Sequence, residues 1–370
     1  MRIMITGGGT GGHTSPALAI LEELHRRDPR LMTQWVGKRG GLEARICQSR
    51  SLPFRAIPAA PWPRRKGPRM LWTAAVLAAG VTRGYLYIKR FRPDAVISVG
   101  GYISLPLVLA AQRAGLPTFL HEQNKRLGMA NQLAAKRAAR LFLSYEGTVG
   151  QYPEDRAQVV GNPVRGAFFN PPGQSAARRL FDLAPEAPAV LVCGGSQGAR
   201  TLNHAVREAL PRLDRNECQL IWITGPDFAA EARTAAAEAP VRTAVFPFID
   251  NMDAAYAAAD IAVCRAGAST AAELAAVGKP AILVPFPYAT ENHQEVNARA
   301  FEEAGAGRVV LDSEFTADVF VQQIRDLLPA VEQRETMARR ARTLAQPGAA
   351  EAIAESILSL LFEKAGGPQA

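Results

Sequence analysis

The stretch Arg2-Ile3-Met4-Ile5-Thr6-Gly7-Gly8-Gly9-Thr10-Gly11-Gly12-His13 decides how the rest of the chain is read. A short apolar strand runs into five glycines, and a histidine stands where a helix should begin. Glycine lets the backbone turn sharply and approach a ligand with no Cβ in the way. A glycine turn that opens a helix also aims free N–H groups and the positive end of the dipole at an anion. A tight strand-to-helix turn without a ligand would use glycine too, but one turn rarely needs five.

Gly7, Gly9 and Gly12 satisfy the spacing of a dinucleotide-binding turn. That fingerprint also wants an acidic residue at the end of the second strand, where it would hold a ribose. Here the second strand, near Thr33–Val36, ends in Gly37-Lys38-Arg39, which has no acid. Nicotinamide binding is weakened, although a 2′-phosphate on Lys38 and Arg39 stays open. His13 suits chemistry at a ligand better than it suits cradling a phosphate.

A chain of 370 residues has room for two domains with separate cores. Its first residues do not read as a leader, because Arg2 is followed by a strand and glycines and no apolar leader core. The longest apolar run, Met70–Val81, is too short to span a bilayer. Cys47, Cys193, Cys218 and Cys264 show no metal spacing, and buried thiols in a reducing cytosol are expected. The net charge of +9 is unevenly placed. Residues 1–162 carry 24 Lys and Arg against 9 Asp and Glu, whereas the remainder carries 19 against 25. The first half should therefore face something anionic. Nucleic acid fits the charge, but no nucleic-acid motif accompanies it, so a membrane surface is preferred.

Short apolar strands alternate with helical stretches throughout, which predicts an α/β protein with parallel sheets covered on both faces. Strands are expected near 2–6, 32–36, 53–57, 94–99, 117–121, 140–144 and 157–160, with helices near 13–27, 41–50, 70–91, 104–114 and 128–138. Gly161-Asn162-Pro163 and Pro171-Pro172-Gly173 read as a linker. The same grammar then restarts with strand Ala189–Cys193, glycine turn Gly194–Gly198 and helix Thr201–Leu213. Further strands follow near 219–224, 242–246, 261–264, 281–284 and 308–311. This gives two Rossmann-like domains, 1–162 and 163–347, with a final helix near 348–364 that packs back on the first. Ligands of such sheets bind beyond the carboxyl ends of the strands, so two facing domains would share one cleft.

Between Pro61 and Arg92, the basic residues Arg64, Arg65, Lys66 and Arg69 precede a helix bearing Leu71, Trp72, Val76, Tyr85, Leu86 and Ile88. It reads either as a core helix with solvated ends or as a helix lying on a membrane interface.

Four strand-end loops are rich in small and polar residues: Gly7–His13, Gly100–Ser104, His121-Glu122-Gln123-Asn124 and Gly194–Gly198. Buried polar groups each need a partner, and four such loops at equivalent ends of two sheets point to a phosphate-bearing ligand. Arg265–Glu273 places small residues at another helix start, where Glu273 could grip ribose hydroxyls. Gln294 and Asn297, three apart, share a helix face suited to sugar hydroxyls.

The motifs GGGTGGH, GGYISLP, HEQN, GNPVR, GGSQGAR, FIDNM, CRAGAST and NHQEVNA occur here in the order found in the MurG family of bacterial glycosyltransferases, glycosyltransferase family 28. The resemblance runs from residue 2 to about 345. It implies the glycosyltransferase-B fold, with two facing Rossmann-like domains and an interdomain cleft. The donor it implies is UDP-N-acetylglucosamine, held mainly by the C-terminal domain. Ile249 would read uracil through its backbone, Glu273 would hold the ribose, and Ser196, Gln197, Ala268, Ser269 and Thr270 would face the diphosphate. Arg165 would lie near the nucleotide, and His293, Gln294 and Asn297 would touch the sugar. Gly9, Gly100, Gly101, Tyr102, His121 and Asn131 would face the acceptor and its diphosphate. Thr10, Gly11, Gly12 and Asn124, on the acceptor-facing loops, are counted with the donor as well. Lys125-Arg126-Leu127 departs from the family pattern before Gly128, and its cations would meet either the acceptor diphosphate or solvent.

The implied acceptor is lipid I, undecaprenyl-diphosphoryl-MurNAc-pentapeptide, at the cytoplasmic face of the inner membrane. The expected reaction is an inverting transfer to its 4-hydroxyl. The proton that hydroxyl must lose calls for a base, for which His13 is the expected residue with Glu122 in reserve. With no DxD-type carboxylate pair at a strand end, neither a metal nor a cofactor is expected. Anionic lipids and other cell-wall synthesis proteins are the further partners implied; nucleic acid is not among them. Two rival readings remain, a UDP-N-acetylglucosamine 2-epimerase of the same fold and a non-catalytic lipid-docking module.

Overall fold

The structure is a computed structural model that describes residues 1–9, 11–63, 67–289 and 292–364. Thr10, Arg64, Arg65 and Lys66 lie outside the described residues. The chain forms two compact units, one of Met1–Arg165 together with the segment from Gln346 onward, the other Gly166–Ala345.

The first unit holds a seven-stranded sheet built from β1 (Arg2–Thr6), β2 (Met32–Gly37), β3 (Phe54–Ala56), β4 (Ala95–Ser98), β5 (Thr118–Glu122), β6 (Arg140–Leu143) and β7 (Ala157–Val159). The order is β3-β2-β1-β4-β5-β6-β7, with every pairing parallel. Ile3, Met4 and Ile5 of β1 are fully buried, and every residue of β4 and β5 is buried. Continuous apolar strands are what a sheet covered on both faces requires. The helix Ala349–Lys364 returns to this unit and packs on the helix Gly11–Arg27.

The second unit repeats the scheme with β8 (Ala189–Cys193), β9 (Gln219–Ile223), β10 (Thr243–Phe246), β11 (Ile261–Cys264), β12 (Ala281–Leu283) and β13 (Gly307–Val309). Its order is β10-β9-β8-β11-β12-β13, again all parallel. Both orders reverse direction beside the first strand of the unit. In an open parallel sheet that switch point opens the ligand crevice at the carboxyl ends of the strands. It lies between β1 and β4 in one unit and between β8 and β11 in the other.

Two differences from the sequence expectation have local causes. The first helix opens at Gly11, so His13 stands inside its first turn and not at its start. Several helices of the second unit had no sequence signal of their own. Ala229–Glu238, for example, reads AAEARTAAAE, where alanine gives helix propensity without an apolar stripe.

The helix Pro68–Phe91 buries only Thr73, Gly80, Gly84 and Ile88. Gly80 and Gly84 let it seat closely: a Cβ at Gly80 would stand 2.8 Å from Pro106 Cβ, and one at Gly84 would stand 3.2 Å from Ala110 Cβ. The opposite face leaves Leu71, Trp72, Tyr85 and Leu86 exposed. Among the described residues, no helix is long and apolar enough to cross a membrane. All four cysteines are free and buried, and burial pushes the thiols up, to about 12 at Cys47 and Cys218 and about 11 at Cys193.

At the amino end of β11, Asp260 collects Arg178 Nη2 at 2.7 Å, Arg334 Nη1 at 3.2 Å and the Ala189 N–H at 2.7 Å. Removing one member of a buried ionic network leaves the others uncompensated, at a cost of about 3–5 kcal/mol. Asp260→Asn should lower the second unit's stability on that scale, read as a reduced urea midpoint with unchanged m. A shift below about 1 kcal/mol would show the network to be peripheral.

Candidate active site

The Gly7–Gly9 turn leaves β1 at the switch point of the first unit. Gly7, Gly9, Gly100 and Gly101 have φ of 141°, 86°, 85° and 79°, which a side chain would resist. The Gly7 carbonyl accepts from Trp35 Nε1 at 3.2 Å, fixing the turn to β2. The half-buried His13 ring lies over the second glycine turn. Its Cδ2 is 3.5 Å from where a Cβ would stand at Gly100, and 3.7 Å from one at Gly101. Two loops far apart in sequence thus meet at the carboxyl edge of the sheet.

The third loop joins them from β5. Glu122 is buried, and its Oε1 accepts from the Asn124 N–H at 3.1 Å and Asn124 Nδ2 at 3.0 Å. Its Oε2 accepts from the Gly128 N–H at 2.8 Å and Asn131 Nδ2 at 3.0 Å. Four donors are the ordinary complement of a carboxylate, so Glu122 is an anchor that sets the 123–128 loop. Asn131 Nδ2 also reaches the His121 carbonyl at 3.0 Å.

His121 is fully enclosed. Its Nε2–H donates to the Gly161 carbonyl at 3.1 Å, and its Nδ1 accepts from Gln123 Nε2 at 3.1 Å. These partners select one neutral tautomer. Burial brings its pKa down to about 4; the Gly161 hydrogen bond opposes that shift, and the neighbouring His13 charge adds a smaller push downward.

Tyr102 is half-buried in the turn before the helix Leu105–Arg113. Arg165 also belongs to the first unit, buried, with Nη1 3.9 Å from Glu22 Oε1. Lys125 and Arg126 are exposed, and Lys125 lies 5.8 Å from the Tyr145 ring centroid.

In the second unit, the Gly194–Gly198 turn leaves β8 and packs on Thr224-Gly225. Asn203 Nδ2 donates to the Thr224 carbonyl at 2.8 Å, and its Oδ1 accepts from Trp222 Nε1 at 3.1 Å, which holds the floor under Ser196 and Gln197. Across the switch point, Gly267 precedes the helix Ala268–Val277, whose first turn carries Ala268, Ser269 and Thr270. Glu273 is buried one turn further on. Ile249 is buried beyond β10. Asn297 Nδ2 donates to the Ala266 carbonyl at 3.0 Å, and Gln294 Oε1 accepts from the Phe286 N–H at 3.0 Å. His293, Gln294 and Asn297 therefore stand on a helix, His293–Glu303, tied to the same edge.

Sequence reasoning passed over two groups that shape these edges. Arg265 pairs with Asp312 at 2.5 Å and donates to the Val284 carbonyl at 3.1 Å, joining the ends of β11 and β12 to the segment after β13. Glu43, fully buried, accepts the Gly9 N–H at 3.0 Å and the Lys38 N–H at 2.7 Å. Its only sequence signal was an acid at the start of a helix after Gly40-Gly41.

The sequence matches the N-terminal domain of glycosyltransferase family 28 over residues 3–143 and the C-terminal domain of that family over residues 189–355. Curated relatives named UDP-N-acetylglucosamine–N-acetylmuramyl-(pentapeptide) pyrophosphoryl-undecaprenol N-acetylglucosamine transferase are similar over nearly the whole chain. One from Lactiplantibacillus plantarum is 36% identical, covering 95% of this chain and 98% of the relative. One from a Nocardioides species is 38% identical, covering 97% and 98%. Among solved structures, Acinetobacter baumannii MurG aligns with a TM-score of 0.67 at 29% identity, covering 97% of this chain and 99% of that one. A UDP-N-acetylglucosamine 2-epimerase aligns with a TM-score of 0.62 at 15% identity, a likeness of fold alone.

The His121 geometry sets a pH dependence. Its folded pKa of about 4 lies below the ordinary imidazole value of 6.5, so the unfolded chain takes up a proton first as pH falls. Stability is full above about 6.5, declines as pH drops, and levels off near 4, for a total on the order of 3 kcal/mol. His121→Gln removes that titration. The stability gap between wild type and variant should narrow from pH 6.5 to 4 in urea denaturation, and a constant gap would contradict the assignment.

Proposed function

The chain belongs to glycosyltransferase family 28, and from that premise we propose that it transfers N-acetylglucosamine from UDP-N-acetylglucosamine to undecaprenyl-diphosphoryl-N-acetylmuramyl-pentapeptide. It is a hexosyltransferase of peptidoglycan synthesis. The observation that carries the reading is identity of 36–38% over nearly the full length of curated relatives bearing that activity in their names. The fold alone does not separate a transferase from the epimerase, since both share it; the family match does.

In our reading, the 4-hydroxyl of the muramyl sugar attacks the anomeric carbon as UDP leaves, inverting that centre and forming a β-1,4 bond. The hydroxyl must lose its proton as the bond forms. His13 takes it. Of the titratable groups clustered at this edge, Glu122 already carries four donors, and His121 is buried with a pKa of about 4. His13 is half-buried in the first turn of its helix, beside the glycine turns.

The departing diphosphate gains charge, and oriented helix N–H groups at Ala268, Ser269 and Thr270 stabilise it without reorganisation. Ser196 and Gln197 add contacts from the other side of the switch point. The Ile249 backbone reads uracil, Glu273 holds the ribose, Arg165 approaches the nucleotide, and His293, Gln294 and Asn297 hold the sugar. Gly9, Gly100, Gly101, Tyr102, His121 and Asn131 line the acceptor side, and Gly11, Gly12 and Asn124 border the donor. No step in this chemistry calls for a metal or a redox cofactor.

The acceptor is lipid-borne, so the first unit works at the cytoplasmic face of the membrane as a peripheral protein. The helix Pro68–Phe91 supports this, with Leu71, Trp72, Tyr85 and Leu86 exposed beside Lys89 and Arg90. Aromatic and aliphatic side chains enter the headgroup region while the cations meet anionic lipid.

Transfer of labelled N-acetylglucosamine to a short-chain acceptor analogue is the direct test. Epimerisation of UDP-N-acetylglucosamine in the absence of acceptor would point to the isomerase instead. His13→Ala should lower kcat by about 10²–10⁴-fold and leave the donor KM near wild type, whereas unchanged turnover would remove His13 from the role. A Leu71→Glu, Trp72→Glu double variant should bind anionic vesicles at least about tenfold more weakly, while still glycosylating the short-chain analogue. Undiminished vesicle binding would move the docking face elsewhere.

A further inference from the structure

The glycine turn after β1 contains a carboxylate of the protein's own. Glu43 is fully buried, its Oε2 accepting the Gly9 N–H at 3.0 Å and its Oε1 the Lys38 N–H at 2.7 Å. Glycine surrounds it. A Cβ at Gly37 would stand 2.5 Å from Glu43 Cγ, one at Gly41 would stand 2.7 Å from its Oε1, and one at Gly8 would strike the carboxyl carbon. Three of the glycines at this corner thus make room for one side chain.

In a doubly wound sheet, the backbone N–H groups of the turn after the first strand are those that commonly meet a ligand's phosphate. Here an internal anion holds one of them. A buried carboxylate keeps its charge stabilised only while donors point at it, so the Gly9 and Lys38 N–H groups and the carboxylate fix one another. The helix bearing His13 begins two residues after Gly9, and the His13 ring rests against Gly100 and Gly101.

We propose that Glu43 is a positioning residue for the transfer reaction, a built-in anion that presets the Gly7–Gly9 turn and through it the place of His13. The inference rests on the transferase reading above. Glu43 never meets substrate; it acts through the turn. Its loss displaces the base, and misplacement by about 1 Å costs on the order of 10²-fold in rate. The nucleotide-binding residues assigned to the second unit are untouched.

The test uses the full chain and the short-chain acceptor analogue, with wild type, Glu43→Gln and Glu43→Ala, each checked by circular dichroism. Glutamine keeps the shape but turns its amide toward one of the two N–H groups. Glu43→Gln should lose at least about tenfold in kcat with UDP affinity, which the second unit supplies, unchanged. Glu43→Ala should lose more, and formate, a carboxylate small enough to enter the vacated space, should restore activity several-fold while leaving wild type unaffected. A kcat within about twofold of wild type in either variant overturns the proposal. So does a loss that follows the unfolded fraction, or one that formate fails to lift in folded Glu43→Ala. Absence of transfer by wild type would instead overturn the transferase reading.

Discussion

A carboxylate sealed from water is stable only where hydrogen-bond donors are aimed at it, and the ligand edge of the first sheet depends on two such groups. Glu43 takes backbone N–H groups from the turn after β1 and the end of β2. Glu122 takes four donors from the loop and helix that follow β5. Each converts an irregular connection into one fixed conformation, because any rearrangement would leave a buried charge unpaired. Between them they hold the two loops that flank the Gly100–Gly101 turn. The second sheet reaches the same rigidity by other means, with Arg265 bound to Asp312 and to two carbonyls, and Asn203 bridging Trp222 and Thr224.

The fold was legible because parallel sheets covered on both faces write themselves as short apolar runs, and because glycine marks the turn after the first strand of each unit. Strands β1 and β8 stand where Arg2–Thr6 and Ala189–Cys193 announced them. The helices from Ala229 and Ala317 were less legible. The first is too rich in alanine to show a face, and the second has a clear face that the strand grammar left unclaimed. At the edges, sequence showed which residues could bind but not which were already occupied. Glu122 and Glu273 look alike as acids near strand ends, and only three-dimensional contact reveals that the first is saturated by its own loop. Glu43 and Asp312 were invisible for a related reason: their partners lie 34 and 47 residues away in sequence, at Gly9 and Arg265.

Charge is unevenly divided between the units. The unit of Met1–Arg165 with the segment from Gln346 onward carries a net +14, and Gly166–Ala345 a net −5. If UDP-N-acetylglucosamine binds the second unit, its diphosphate meets a domain whose overall field repels it. Attraction must then come from groups within a few ångströms, the N–H groups opening the helix at Ala268 and the turn at Gly194–Gly198, whose dipoles act strongly only at short range. Such an arrangement favours a phosphate seated in one geometry over any anion nearby. A membrane is the opposite kind of partner, an extended anionic plane with no single geometry to match. Scattered cations add their effects there within a Debye length. A basic excess on the unit with the exposed Leu71 and Trp72 would suit the lipid docking proposed for that face, which needs no single geometry, while selectivity for a phosphate would rest on short-range dipoles that a salt-screened field does not disturb.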